Sequence, residues 1–310
     1  MELTERKREI VFLTAALFCL LPFMSAPLAL LLGLILAQLM QHPYPELNHK
    51  ATNLLLKISV VGLGFGMNVF AAMKAGREGV LFTVASIVGV LTLGYVLGKI
   101  FKIERKTSYL ISAGTAICGG SAIAALSPVM KAEERDISVS LGIVFILNAV
   151  ALFLFPVVGH ALGLTQSQFG MWCAIAIHDT SSVVGAAGKY GVEALQIATT
   201  VKLARALWIV PLAFGTAFLF KSDRCKVQLP YFIGLFILAM LANTYLPFVH
   251  TLSPYIVNVA KAGLTLTLFL IGSGLSFKVV RMVGAKPFLQ GLILWLAISG
   301  ASLWAIMTLY

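Results

Sequence analysis

Charge is what this sequence has least of. Only 11% of its 310 residues are Asp, Glu, Lys or Arg, and 59% are hydrophobic, against roughly 25% charged in a soluble domain. With a mean hydropathy of +0.95, no water-surrounded core of this size could hide so much apolar surface, so the solvent is lipid. Strict alternation of apolar and polar residues is also missing, which excludes a β-barrel in favour of helices. Acidic residues are the scarcer sign, 12 against 23 basic, for a net charge of +11. The basic residues sit in short connections and do not cluster with aromatics, which points to membrane orientation and excludes nucleic acid as a partner. The four cysteines (Cys19, Cys118, Cys173 and Cys225) are far apart and form no CxxC pair, so they read as free apolar residues. Missing too are GxxxxGK[ST], HExxH and GxSxG, which excludes intrinsic ATP binding and the common hydrolase chemistries. His42, His49, His160 and His250 fall in expected connections, whereas a metal site wants three or four convergent ligands. Neither a metal nor a cofactor is expected, and the protein does not read as an enzyme.

What is there is a series of apolar runs. They predict an all-α polytopic membrane protein of about eleven transmembrane helices, because crossing a bilayer takes about 20 apolar residues. The runs are 10–24, 27–41, 53–73, 78–100, 107–130, 137–159, 167–188, 193–220, 229–246, 253–277 and 287–309. The charged start Glu5-Arg6-Lys7-Arg8, with no small-residue cleavage site before Pro22, reads as a retained first helix. Placing the N-terminus in the cytoplasm puts 14 basic residues inside and five outside, a positive-inside bias that predicts an outer C-terminus. One connection breaks the pattern: 160–166 should be cytoplasmic, yet it holds no Lys or Arg. The chain reads as one transmembrane domain, 1–310, with repeats at about 27–159 and 167–309. Gly62-Leu63-Gly64-Phe65-Gly66-Met67 resembles Gly272-Ser273-Gly274-Leu275-Ser276-Phe277, 210 residues on. On helices of opposite direction this is the mark of an inverted repeat, and close helix packing through small residues is the alternative.

Three segments carry candidate chemistry. In Ser112-Ala113-Gly114-Thr115-Ala116-Ile117-Cys118-Gly119-Gly120-Ser121-Ala122, the Gly119-Gly120 pair costs about 2 kcal/mol of helix propensity in mid-span. Unwound backbone at that depth is tolerated only inside protein or beside a wet cavity. A half-helix starting near Ser121 would turn free N–H groups toward an anion. The second segment, His178-Asp179-Thr180-Ser181-Ser182-Val183-Val184-Gly185, buries ionisable groups that cost on the order of 3 kcal/mol if charged and unpaired. His178 and Asp179 could carry a proton, with Thr180, Ser181 and Ser182 donating to a substrate; a His–Asp contact locking two helices is the plainer reading. The third is Lys202 and Arg205, three residues apart and so on one helical face. They could neutralise an anion, with one expected to pair with Asp179. Lys57 and Lys261, near span starts, read as snorkelling, and Asn68 and Asn148 as glue between helices. Pro128 reads as a helix terminator, and Lys131–Asp136 as a solvated loop.

Gly114–Ala122, His178–Gly185 and Lys202-Leu203-Ala204-Arg205 together resemble the signatures of the YeiH-type sulfate exporter family of bacterial inner-membrane proteins, and the resemblance covers nearly the whole chain. It implies distant similarity to the cation–proton antiporter and anion transporter superfamily, with inverted repeats and crossed, broken helices. In that superfamily the crossed helices are antiparallel, whereas the topology above makes 107–130 and 167–188 parallel. The counterpart of 107–130 is therefore either 253–277 or 167–188.

The expectation is a secondary transporter moving a small anion, sulfate or a related sulfur or carboxylate anion, coupled to protons or exchange. Thr115, Gly119, Gly120, Ser121, Thr180, Ser181, Ser182 and Arg205 are the candidate substrate contacts. His178, Asp179 and Lys202 are the candidate ion-coupling residues. A cation–proton antiporter using Asp179 is the alternative, and an intramembrane enzyme or structural subunit lies behind both. The partners expected are the anion and membrane lipid, with a homodimer left open.

Overall fold

A computed structural model describes residues 5–21, 24–220, 231–274 and 284–309. Pro22, Cys225, the basic stretch 221–226, residues 275–277 of the glycine repeat, Lys278 and Arg281 lie outside the described residues. Among the described residues the regular structure is helical throughout, in fourteen helices. In chain order they are α1 (Glu5–Phe18), α2 (Ala26–Leu39), α3 (Pro45–Gly64), α4 (Val69–Ile100), α5 (Arg105–Ala116), α6 (Gly120–Leu126), α7 (Glu134–Ala161), α8 (Gln166–Ala176), α9 (Thr180–Tyr190), α10 (Val192–Ala206), α11 (Ile209–Leu219), α12 (Tyr231–Tyr245), α13 (Pro247–Gly274) and α14 (Ala285–Leu309). Five stretches are long and apolar enough to cross a membrane: Phe82–Ile100, Arg135–Ala161, Val192–Leu219, Pro247–Gly274 and Ala285–Leu309. Large apolar side chains stand outward on the helices, among them Phe218, Val259, Trp304 and Ile100. Water would penalise such a surface, and hydrocarbon does not.

The chain divides into two compact units. The first gathers the described residues of Met1–Met73 and Pro230–Phe277, that is, α1 to α3, α12 and α13. Pro45 opens α3 at a first-turn position where its missing N–H costs nothing, and the glycines from Gly62 onward end it. The run expected at 53–73 is therefore displaced, with α3 ending at Gly64 and α4 beginning at Val69. Gly33 on α2 meets α13 backbone to backbone, since a Cβ there would lie 2.2 Å from the Phe269 carbonyl oxygen, and one at Gly272 would lie 2.4 Å from that of Leu30. Gly62 likewise faces Ala260. In the described part of the glycine repeat, then, Gly62 and Gly272 serve close packing.

The second unit comprises Lys74–Leu229 and Lys278–Tyr310, and here the structure departs from the expected spans. The run 107–130 is two helices, α5 and α6, whose outer ends return to the same place. Lys106 Nζ donates to the Lys131 carbonyl at 2.7 Å, and the Thr107 hydroxyl donates to Asp136 at the start of α7. A straight helix over those 24 residues would hold its ends about 36 Å apart. The run 167–188 behaves alike: Tyr190 at the end of α9 donates to the Leu164 carbonyl at 2.6 Å, and its ring stacks on Phe169 of α8 at 3.7 Å. Both segments are helical hairpins. Periodicity and hydropathy cannot separate a hairpin from a span of equal length, because both bury apolar residues throughout.

Helix α7 sets where the hairpins sit. Its 28 residues rise about 42 Å. It begins beside the base of the α5–α6 hairpin, through Asp136, and ends beside the base of the α8–α9 hairpin, where His160 stacks on Tyr190 at 4.3 Å. The two hairpins thus enter the unit from opposite ends. Two predicted loops also change. Asp136 is only 3% exposed and closes a capping box with Glu133 on α7, so Lys131–Asp136 is not simply solvated. His49, His160 and His250 lie within helices, leaving His42 in a connection.

Candidate functional site

The tips of the two hairpins, 117–119 and 177–179, meet. A Cβ on Gly119 would lie 3.4 Å from both the backbone carbon and the Cβ of His178. Gly119 has φ +63 and ψ −122, a conformation that essentially only glycine adopts without strain. Its N–H closes α5 on the Gly114 carbonyl and its carbonyl opens α6 by accepting from Ile123. The glycine therefore both ends one helix and starts the next. At the other tip Asp179 is the N-cap of α9, its carboxylate accepting the backbone N–H of Ser181 at 3.1 Å and the Ser181 hydroxyl. Asn148, the fifteenth residue of α7, accepts the backbone N–H groups of His178 (3.1 Å) and Asp179 (3.2 Å) through its side-chain oxygen. The tips thus meet at the mid-height of α7.

Each tip leaves the last carbonyls of a helix without intrahelical partners, and two cations take them up. Lys202 Nζ donates to the carbonyls of Ile177 (2.7 Å), Ile117 (3.0 Å) and Ala174 (3.4 Å). Arg205 donates through Nε to the Ala116 carbonyl at 2.9 Å and through Nη2 to the same oxygen. Both side chains are wholly buried. A positive charge on the negative end of a helix is the favourable pairing, so α10 pins the ends of α5 and α8 from one face. The expected ion pair of Asp179 with Lys202 or Arg205 is not the arrangement found: the cations hold carbonyls, and the carboxylate holds Ser181. The cation cost is met by helix ends that periodicity alone does not reveal.

The residues proposed from sequence gather unevenly. Thr115, Gly119, His178, Asp179, Thr180, Ser181, Ser182, Lys202 and Arg205 are all buried at or beside the tips. Gly120 is half-buried and Ser121 exposed on α6, so Ser121 does not join the buried hydroxyls. The break of 107–130 meets that of 167–188, while α13 runs unbroken to Gly274. Asn148 was read only as glue between helices, and its role in holding the second tip was missed. The one available signal was a lone amide in an otherwise apolar run.

Among the described residues, several buried polar atoms around the tips have no hydrogen-bond partner: Arg205 Nη1, Thr115 Oγ1, Asn148 Nδ2 and both ring nitrogens of His178. Buried polar groups are normally satisfied, because leaving one bare costs about 1–3 kcal/mol. Arg205 Nη1, Thr115 Oγ1 and Asn148 Nδ2 are thus donors left bare on the elements that form or hold the tips. Away from the tips, the buried Gln290 ties α14 to Gly94, Ser108 and Ser112 and holds the base of the first hairpin.

The fold defines a helical membrane protein with two facing helical hairpins whose tips meet among buried polar groups. The chain belongs to the YeiH-like family described as conserved hypothetical protein 698, whose model matches residues 11–291. A UPF0324 membrane protein of Bacteroides thetaiotaomicron is 57% identical over 91% of this chain and 86% of its own. One from Bdellovibrio bacteriovorus is 48% identical over 96% and 94%, and one from Shewanella oneidensis 49% identical over 95% and 93%. No solved structure matches.

Proposed function

We propose that this protein is a secondary transporter that carries a small oxyanion, of the class of sulfate, related sulfur anions and carboxylates, across the bacterial inner membrane. The observation that carries the reading is the meeting of the hairpin tips around bare donors. Arg205 Nη1, Thr115 Oγ1 and Asn148 Nδ2 offer N–H and O–H groups. With its carboxylate committed to capping α9, Asp179 is a poor sodium ligand, and two neighbouring cations would repel sodium. The test is a thermal-shift screen of purified protein against sulfate, sulfite, taurine and carboxylates, followed by uptake of the stabilising anion into proteoliposomes. Stabilisation by sodium with none by any anion would instead establish the cation–proton antiporter.

The hairpins also revise the membrane topology. Joining α10 to α11 and counting neither hairpin as a crossing gives nine crossings in place of eleven, still an odd number. Lys131 and Arg135 then move to the side that holds Lys99, Lys102, Arg105 and Lys106, and 160–166, with no Lys or Arg, moves outside. Sixteen basic residues now lie inside and three outside, a stronger positive-inside bias than before. The N-terminus stays cytoplasmic and the C-terminus periplasmic. Reporter fusions after residues 103 and 133 should both read cytoplasmic, and those after 163 and 190 periplasmic. Eleven crossings would put 133 outside and 163 inside.

A further inference from the structure

The charge around the tips says more than that an anion binds there. The charged groups that act on His178 are Lys202 and Arg205 from α10, with Asp179 next to it in the chain; the thiols of Cys118, at the opposite tip, and Cys173, on α8, lie near Lys202. Asn148, from α7, is neutral. Each tip sets the negative end of one helix against the positive end of the next, so the backbone dipoles largely cancel within it. The Cys118 thiol adds no charge in its ordinary neutral form. Counted in their ordinary charged forms, Lys202, Arg205 and Asp179 leave one net positive charge in a site shut from water, where His178 is 1% exposed and both cations are wholly buried. A buried site tolerates little uncompensated charge. One negative charge neutralises this one, and a dianion overshoots by one.

The imidazole of His178 is placed to correct that overshoot. It lies at the tip, and neither ring nitrogen has a hydrogen-bond partner among the described residues, so no hydrogen bond there fixes its tautomer. Of the other titratable side chains here, Asp179 is engaged with Ser181 and Lys202 with three carbonyls. We infer that His178 is the proton-coupling residue of the site, taking up one proton when a dianion binds and none when a monoanion binds. The inference rests on the anion-transport reading above. The proton comes from bulk water, resides on the imidazole beside the bound dianion, and leaves with the anion's departure, so the loaded site is neutral and one proton moves with each dianion. Proton and dianion then promote each other's binding by the same factor.

The experiment uses purified full-length protein in weakly buffered detergent with a pH indicator, titrated with sodium sulfate and with sodium nitrate. Sulfate should withdraw about one proton from solution per molecule bound, and nitrate none. Sulfate affinity should fall by up to about tenfold per pH unit above the pH at which His178 releases its proton, while nitrate affinity stays flat. His178→Gln should abolish proton uptake on sulfate addition. Sulfate binding by the wild type without proton uptake would overturn the inference and leave the anion site standing. Binding of neither anion nor of any in the thermal-shift screen would overturn the site itself. Proton uptake that persists in His178→Gln would remove the histidine from the role. Should that variant not fold, His178→Asn is read in the same way, and equal proton uptake with sulfate and nitrate in the wild type still overturns the inference.

Discussion

The two units of this chain are equally apolar, yet they use glycine in opposite ways. In the first, Gly33 and Gly272 lie inside unbroken helices and let α2 and α13 meet at backbone distance. In the second, Gly119 takes a φ of +63 and stops a helix in the middle of the unit. The first use exposes no backbone polar group, so no buried charge is needed. The second strips the Ala116 and Ile117 carbonyls of their partners, as the break at 177–179 does those of Ala174 and Ile177, and Lys202 and Arg205 are the response. A broken helix in hydrocarbon thus implies compensating side chains nearby, and it is those side chains, with their spare donors, that create a site.

The comparison breaks most sharply at the lysine. Lys202→Met leaves three buried carbonyls bare, and the stability lost should be about 3 kcal/mol or more, since removing one partner of a buried charged contact costs about 3–5 kcal/mol. Thermal melts in detergent would read this as a drop of many degrees, and a drop no larger than that of an exposed lysine such as Lys261 would show that the helix ends do not need the charge. Gly119→Ala should cost about 1–3 kcal/mol, from a strained backbone and a Cβ placed 2.9 Å from Val144, and it should lower anion binding as well. In the first unit, Gly33→Ala forces α2 from α13 and should cost about 1–3 kcal/mol as overpacking does, but anion affinity should be untouched. The smallest effect concerns His42. Its Nδ1 accepts from the Tyr44 backbone N–H at 3.0 Å, its Nε2 lies 3.2 Å from the Ser273 hydroxyl, and burial pushes its pKa below the ordinary 6.5. Because the folded state takes the proton less readily than the unfolded one, stability should be full above about pH 6.5 and fall as the pH drops below it. His42→Gln should flatten that slope in pH-dependent melts, and an unchanged slope would assign it elsewhere.

How far the sequence reaches depends on what each signal reports. Gly119-Gly120 marked the first break to within a residue, because glycine's cost in a helix is local. His178 and Asp179 marked a polar point in the second segment, because ionisable groups are dear in lipid wherever they stand, but not the break there. Neither signal says whether the chain continues across the membrane or turns back. That depends on Lys106 meeting Lys131 and Tyr190 meeting Leu164, contacts between residues 25 and 26 apart that no periodicity encodes. The absence of Lys and Arg from 160–166 was the one legible hint, and it takes its meaning only once both hairpins are in place. The partners of Lys202 and Arg205 were misjudged for a related reason. A sequence displays its carboxylates but not its unsatisfied carbonyls, so Asp179 was the only partner in view.

The most direct test of the account is Thr115→Val, which keeps the side-chain shape and removes a buried hydroxyl that has no partner in the protein. If that hydroxyl is kept for a ligand, the empty protein should become more stable by about 1 kcal/mol, the order of the cost of a bare buried polar group, while affinity for the transported anion falls about tenfold. Melting curves and anion titrations on the same preparation give both numbers. Opposite signs are the predicted result, and a stabilised protein whose anion affinity is unchanged would contradict the claim that the hairpin tips form the site.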